Sequence, residues 1–274
     1  MTTAAPLNAI AAPNLSPSAR LEHDDHVQPE QQSAKPNTYI PRGDTVVTLN
    51  YFRPPEDGSI PFQQAGDNVD NIPAGQVLRN FGDFDVKVPI TDIRGHESEY
   101  TLDEHAFEVI ENVPESAEKE FVDDESIKQK YYPESATARV RHHLPEEAEK
   151  LLQGRFRIIN VWRPLNGPVQ ANPLGFAATG TLRDEDLIPI EHRYPDRTGE
   201  TAGIVYSPNQ KWHYLSGMKN DERLFLECFD SEASKPGTKV RGGRVPHTAF
   251  RDERTPEDAI GRESIEVRAL VFGP

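Results

Sequence analysis

The chain has 274 residues, with 30 Lys and Arg against 45 Asp and Glu, a formal net charge of −15, 24 prolines and a single cysteine, Cys228. That length suits one large domain with or without an arm. The charge argues against nucleic-acid binding, and no apolar run approaches the ~18 residues of a membrane span. One cysteine closes no internal disulfide and the N-terminus lacks a secretory signal pattern, so the expectation is a cytoplasmic protein.

Residues 1–43 are rich in Ala, Pro, Ser, Gln and Asn without apolar periodicity, which predicts a disordered arm ahead of one domain over 44–274. TVVTLNYF (Thr45–Phe52) reads as a strand that ends at the Pro54-Pro55-Glu56 and Asp57-Gly58 turn. FDVKVPITDIRG (Phe84–Gly95) alternates Val86, Val88 and Ile90 as a second strand. The acidic Glu115–Glu134 segment predicts a solvated helix. So does LPEEAEKLLQG, with Pro145 in the first turn and Gly154 as the stop. Further strands follow at Arg155–Leu165, Gly203–Pro208, Lys211–Leu215, Arg223–Asp230, Val245–Phe250 and Ser264–Phe272. Many short strands between Gly, Pro, Asn and Asp turns indicate a mainly β protein with flanking helices, a sandwich or jelly roll.

The last strand carries the most chemistry. With a period of two, Arg262, Ser264, Glu266 and Arg268 share one face, and Ile265, Val267 and Ala269 share the other. That polar face either meets water or lines a barrel interior, where an Arg fork and a Ser hydroxyl hold a small carboxylate. Upstream, His247 lies in a strand-like VPHTAF, as a structural half-buried residue or as a metal ligand. Trp162 and Arg163 line a substrate pocket or pack in the core. Trp212, Tyr214 and Cys228 read as core residues, and His96 and His105 as surface ones.

NYFRPPEDG (Asn50–Gly58), DIRGHESEYTLDEHAF (Asp92–Phe107), INVWRPLNGPV (Ile159–Val169), KWHYLSGMKNDE (Lys211–Glu222), PHTAF (Pro246–Phe250) and RESIEVRALVF (Arg262–Phe272) resemble the fungal AsaB-type hydroxylase/desaturases. The resemblance runs from about Thr45 to the C-terminus. It implies a double-stranded β-helix (jelly-roll) oxygenase that uses Fe(II) and 2-oxoglutarate to hydroxylate or desaturate a small secondary metabolite. By motif, His247 corresponds to the distal iron-ligand histidine. Arg262 with Ser264 corresponds to the R-x-S that grips the oxoglutarate carboxylate, with Arg268 a second candidate. The resemblance leaves oligomeric state open.

One departure is clear. Family members carry a segment between YYPE and the RVRHHLPEEAEKLL helix, and its H-x-D completes the iron site. Here Glu134 runs through Ser135–Ala138 straight to Arg139. The one literal H-x-D, His23-Asp24-Asp25, falls in the arm, and the adjacent His142 and His143 point away from each other. The alternative expectation is therefore a pseudoenzyme, or a truncated product, that keeps the fold without a complete metal site.

Overall fold

A computed structural model describes residues 38–65, 77–114, 154–195, 198–233 and 235–273. The chain forms β1 (Thr45–Arg53), β2 (Phe62–Gln64), β3 (Gly82–Asp92), a one-turn helix α1 (Leu102–His105) and β4 (Phe107–Ile110). Next come β5 (Arg155–Pro164), β6 (Leu174–Ala177), β7 (Leu187–Arg193) and β8 (Thr198–Ile204). β9 (Trp212–Tyr214), β10 (Arg223–Asp230), β11 (His247–Ala249) and β12 (Ser264–Gly273) complete the order. They make a five-stranded sheet β1-β3-β9-β6-β11, a four-stranded sheet β12-β5-β10-β4 and a three-stranded sheet β2-β7-β8.

In the five-stranded sheet β1 and β3 bury one face, and β9 and β6 bury both. Val47, Leu49 and Tyr51 of β1, Val88 and Ile90 of β3, and Trp212 and Tyr214 of β9 form one core with Ala177 and Phe250. Trp212 donates its Nε1–H to the Tyr51 hydroxyl at 2.8 Å, so the indole is buried without an orphaned donor. Phe176 of β6 points the other way. It joins Phe107, Trp162, Leu215, Leu224, Leu226 and Val245 in a second core, to which the four-stranded sheet contributes β4, β5 and β10 side chains. Each fully buried aromatic or leucine there contributes about 1.5–3 kcal/mol. Gly203 of β8 lets the hairpin lie close to β1, for a Cβ there would sit 2.6 Å from the Phe52 ring.

Two buttresses fix the loops. Arg94 donates to the Ser216 carbonyl at 3.0 and 3.1 Å and pairs through both outer nitrogens' reach with the buried Glu222 carboxylate, which clamps the turn after β9. Arg254 donates to the Arg42 carbonyl at 2.9 Å and the Gly43 carbonyl at 3.2 Å, and the Tyr214 hydroxyl also donates to Gly43, at 2.8 Å.

These last contacts correct the expected boundary of the arm at residue 43. Pro41 is buried, and the Gly43 N–H donates to Asp92 at 2.8 Å, so residues 38–43 belong to the domain. Local composition missed this because the partners lie 49 to 212 residues away. Residues 1–37 and both expected helices, Glu115–Glu134 and Leu144–Gln153, lie outside the described residues. The expected strands at Thr45, Phe84, Arg155, Lys211, Arg223, Val245 and Ser264 each contain a strand. Gly203–Pro208 does not: the strand there ends at Ile204, and most of it precedes the expected segment.

Candidate active site

The register between β5 and β12 decides which side chains face inward. Ser264, Glu266 and Arg268 lie opposite Pro164, Trp162 and Asn160, and opposed residues of an antiparallel pair share a face. Trp162 is also opposite Leu224, and both lie in the core between the two sheets. The polar face of β12 is therefore on the Trp162 side of the sheet, although Ser264, Glu266 and Arg268 themselves are exposed. On the other wall Phe176 is flanked in register by His247 and His213, so both imidazoles share its inward face.

Arg262 and His247 consequently stand on facing walls, Arg262 just before β12 and His247 on β11. A polar cluster on β5 and β12 reaches across to His247. Arg268 Nε donates to Asn160 Oδ1 at 3.0 Å, Asn160 Nδ2 donates to Glu266 Oε1 at 2.8 Å, and Glu266 Oε2 lies 4.0 Å from His247 Nε2. His247 Nδ1 lies 3.0 Å from the Val245 carbonyl. The Arg262 guanidinium sits 5.1 Å from the Trp162 ring centre, and its Nη1 is buried with no hydrogen-bond partner among the described residues. Burial alone lowers its pKa, because no anion is there to offset the lost hydration. Ser264, two residues on, is exposed.

Trp162 and Arg163 do not line one pocket. Adjacent strand residues point to opposite faces, so Trp162 faces the interior while Arg163 lies opposite Ile265 on the outer face. Arg163 is nonetheless buried, so the two side chains lie on opposite faces of β5 rather than side by side. Trp162 packs against a small apolar cleft with Val169, Leu174, Phe176, Leu215 and Met218.

Three residues were missed from sequence. Asn160 is fully buried inside the apolar run Ile158–Trp162, and a lone amide in such a run was the available signal. Glu266 shared the phase of Arg262 and Ser264 but was not singled out. His213 is buried among Tyr100, Phe107 and His105, and its pKa falls to about 4, chiefly through burial. Cys228 is half-buried where the β10 register shifts, rather than a plain core residue. His96 is exposed and bonded to Glu99 at 2.8 Å, whereas the His105 ring stacks beside Tyr100 and Phe107.

The donors can be weighed against the groups that the resemblance implies. An orphaned, buried guanidinium nitrogen fits a carboxylate such as that of a keto acid. A full 2-His-1-carboxylate set is not present: among the described residues no three His, Cys, Asp or Glu side chains converge as a metal site. His247 and Glu266 alone face one another.

Comparisons with known proteins agree with this architecture. The family described as Oxidoreductase/YMDC permease-like domain matches residues 49–138 and 133–272. The hydroxylase/desaturase poxK of Penicillium oxalicum is 32% identical over 270 residues, covering 73% of this chain and 83% of poxK. The hydroxylase/desaturase asaB of Aspergillus flavus is 38% identical over 198 residues, covering 68% and 79%. The solved structure of the iron and alpha-ketoglutarate-dependent endoperoxidase NvfI matches with a TM-score of 0.70 at 25% identity, over 85% of this chain and 99% of that one. On these identities and coverages, the chain belongs to the fungal hydroxylase/desaturase family that includes poxK and asaB.

Proposed function

We propose that this chain is an Fe(II)/2-oxoglutarate-type oxidoreductase that hydroxylates or desaturates a small organic molecule in the cytoplasm. No helix among the described residues is long and apolar enough to cross a membrane. The observation that carries the reading is Arg262, a half-buried cation beside Trp162 whose Nη1 is buried and unsatisfied among the described residues. A desolvated guanidinium is costly unless an anion meets it, and a keto-acid carboxylate supplies two acceptors in the geometry of its fork. Ser264 adds a hydroxyl from the same strand face, and Arg268 is taken up by Asn160. Iron and 2-oxoglutarate, when bound, supply the oxidation of the substrate by dioxygen. The protein's own part is to anchor the keto acid at Arg262, present His247 from the facing wall, and offer an apolar surface around Trp162.

Anaerobic titration with Fe(II) and then 2-oxoglutarate tests this. The expected result is a visible metal-to-ligand charge-transfer band that disappears in Arg262→Ala. A folded protein with no band overturns the reading. The second reading, a pseudoenzyme or truncated product, is favoured by the direct run from Glu134 to Arg139 without an H-x-D. Transcript sequencing across Glu134–Ser135 separates the two, since a dominant longer message encoding H-x-D removes the pseudoenzyme.

A further inference from the structure

β12 is the end strand of the four-stranded sheet. Among the described residues it pairs with β5 alone, and its other edge is open. The ladder to β5 fixes which backbone groups that edge presents. The Leu165 N–H donates to the Glu263 carbonyl at 2.8 Å, so alternate residues from Glu263 onward turn their N–H and C=O toward β5. Ser264, Glu266, Arg268 and Leu270 aim theirs away from the sheet, where none meets a partner among the described residues. The same four residues are exposed. Natural proteins commonly blunt such an edge with a proline or a bulge. β12 has ten residues, no proline and an unbroken register with β5.

The charges on this edge decide what it accepts. Glu266 and Arg268 carry opposite charges two residues apart on one face. When two copies of β12 pair antiparallel about Val267, Glu266 lies opposite the partner's Arg268, and Arg268 opposite the partner's Glu266. Ser264 then lies opposite the partner's Leu270. All four belong to the outward set, so this register also sets the open N–H and C=O groups of each copy against those of the other. Moving the centre by one residue puts Glu266 on Glu266 or Arg268 on Arg268, which like-charge repulsion disfavours. On the opposite face Ile265 meets the partner's Ala269 and the two Val267 side chains meet each other, so half-buried apolar groups align. Both charged groups have bonding capacity left. Asn160 takes up Arg268 Nε and Glu266 Oε1. That leaves the outer nitrogens of Arg268, and Glu266 Oε2, without a hydrogen bond among the described residues; His247 Nε2 is 4.0 Å from that oxygen.

We propose that β12 is the interface of a twofold homodimer, in which two four-stranded sheets join edge to edge through antiparallel β12 strands centred on Val267. The occupant of the edge is a second copy of this chain, because the strand complements its own charges in the register that satisfies its own backbone. Strand addition of this kind draws its affinity from main-chain hydrogen bonds, and its small area makes the dimer reversible. The proposal does not rest on the oxygenase reading.

Sedimentation equilibrium of the full chain over a concentration series tests it. Wild type is expected to show a monomer–dimer equilibrium. Glu266→Lys leaves the facing positions all positive and Arg268→Glu leaves them all negative. Each alone is expected to raise the dimer dissociation constant roughly tenfold or more. Mixed in equal amounts, the two variants are expected to associate with each other at about wild-type strength, because opposite charges face again. Circular dichroism checks the fold. If a charge variant does not fold, Leu270→Pro serves, since it removes an outward N–H and no bond to β5, and it is expected to weaken the dimer as well. Hydrogen exchange on wild type needs no substitution. The amides of Glu266, Arg268 and Leu270 should exchange slowly at high concentration and rapidly on dilution, while those of Val267 and Ala269 stay slow at both. A folded wild type that remains monomeric overturns the proposal, as does a dimer indifferent to these substitutions. So does a mixture of the charge variants that fails to associate. Slow exchange of the three outward amides in the monomer overturns it too, by placing another segment of this chain on the edge.

Discussion

The inner strands β9 and β6 of the five-stranded sheet meet a different interior on each face. On one side Tyr51, Trp212 and Tyr214 pack with Val47, Leu49 and Phe250, and the buried indole nitrogen has a hydroxyl to donate to. On the other, the apolar packing around Phe107 and Phe176 shades into His213, His247, Asn160 and Glu266. There His213 Nδ1 is buried without a partner among the described residues, and Arg262 Nη1 on the facing wall is likewise unsatisfied. Satisfied burial stabilises; unsatisfied burial is the mark of a surface shaped for something other than the chain itself. On the function proposed above, this sheet divides the part of the molecule that holds the fold from the part that would meet ligand.

Truncating the closed side has the largest expected effect. Trp212→Ala removes a fully packed indole and orphans the Tyr51 hydroxyl, for a loss of about 3–5 kcal/mol in urea unfolding. A loss below about 1 kcal/mol would break the contrast. On the open side, Arg262→Met is expected to weaken 2-oxoglutarate binding roughly tenfold or more while the melting temperature holds or rises, since a half-buried guanidinium with an unsatisfied nitrogen is removed. A drop in melting temperature with unchanged oxoglutarate affinity would make Arg262 a structural residue.

Two pH experiments sharpen the contrast further. Glu227 is fully buried on β10, both its oxygens lack a hydrogen bond among the described residues, and Arg157 is 4.0 Å away. Burial, and then the nearby Asp230, raise its pKa from 4.5 to about 8. The folded state therefore keeps a proton that the unfolded state releases. This contribution is whole below pH 4.5 and is lost as pH rises through about 8. Thermal melts of wild type should fall across that window, and Glu227→Gln should flatten the fall. His213 has the opposite sign. Its pKa drops from 6.5 to about 4, so the stability it contributes is present above pH 6.5 and lost as pH falls toward 4. His213→Phe, packed by Phe107 and Tyr100, should show a smaller acid loss in the same melts.

The legible parts of this protein were those governed by short-range periodicity. β10 coincides with its expected bounds, and the phase of Arg262, Ser264, Glu266 and Arg268 on one strand face was readable because side-chain alternation is local. β6 and β7 were not seen: Leu174–Ala177 is too short to alternate, and Pro189 interrupts Leu187–Arg193. The site was half legible for a related reason. A resemblance marked Arg262 and His247, but which walls they occupy depends on β11 joining β6 and β12 joining β5, pairings made over 71 to 118 residues. The same pairings decide that Asn160 meets Glu266, which no local pattern announces.

The Arg254 contacts have a practical corollary for anyone shortening this protein. Cutting the chain to its first strand would strip Arg254 of two carbonyl acceptors and leave the Tyr214 hydroxyl without the oxygen it serves. Tyr214 neighbours His213, so the rivet at the rim and the imidazole beneath it would loosen together. A trimmed version should begin upstream of Ile40; the tidier cut at Asp44 would unfasten the very edge it was meant to clean.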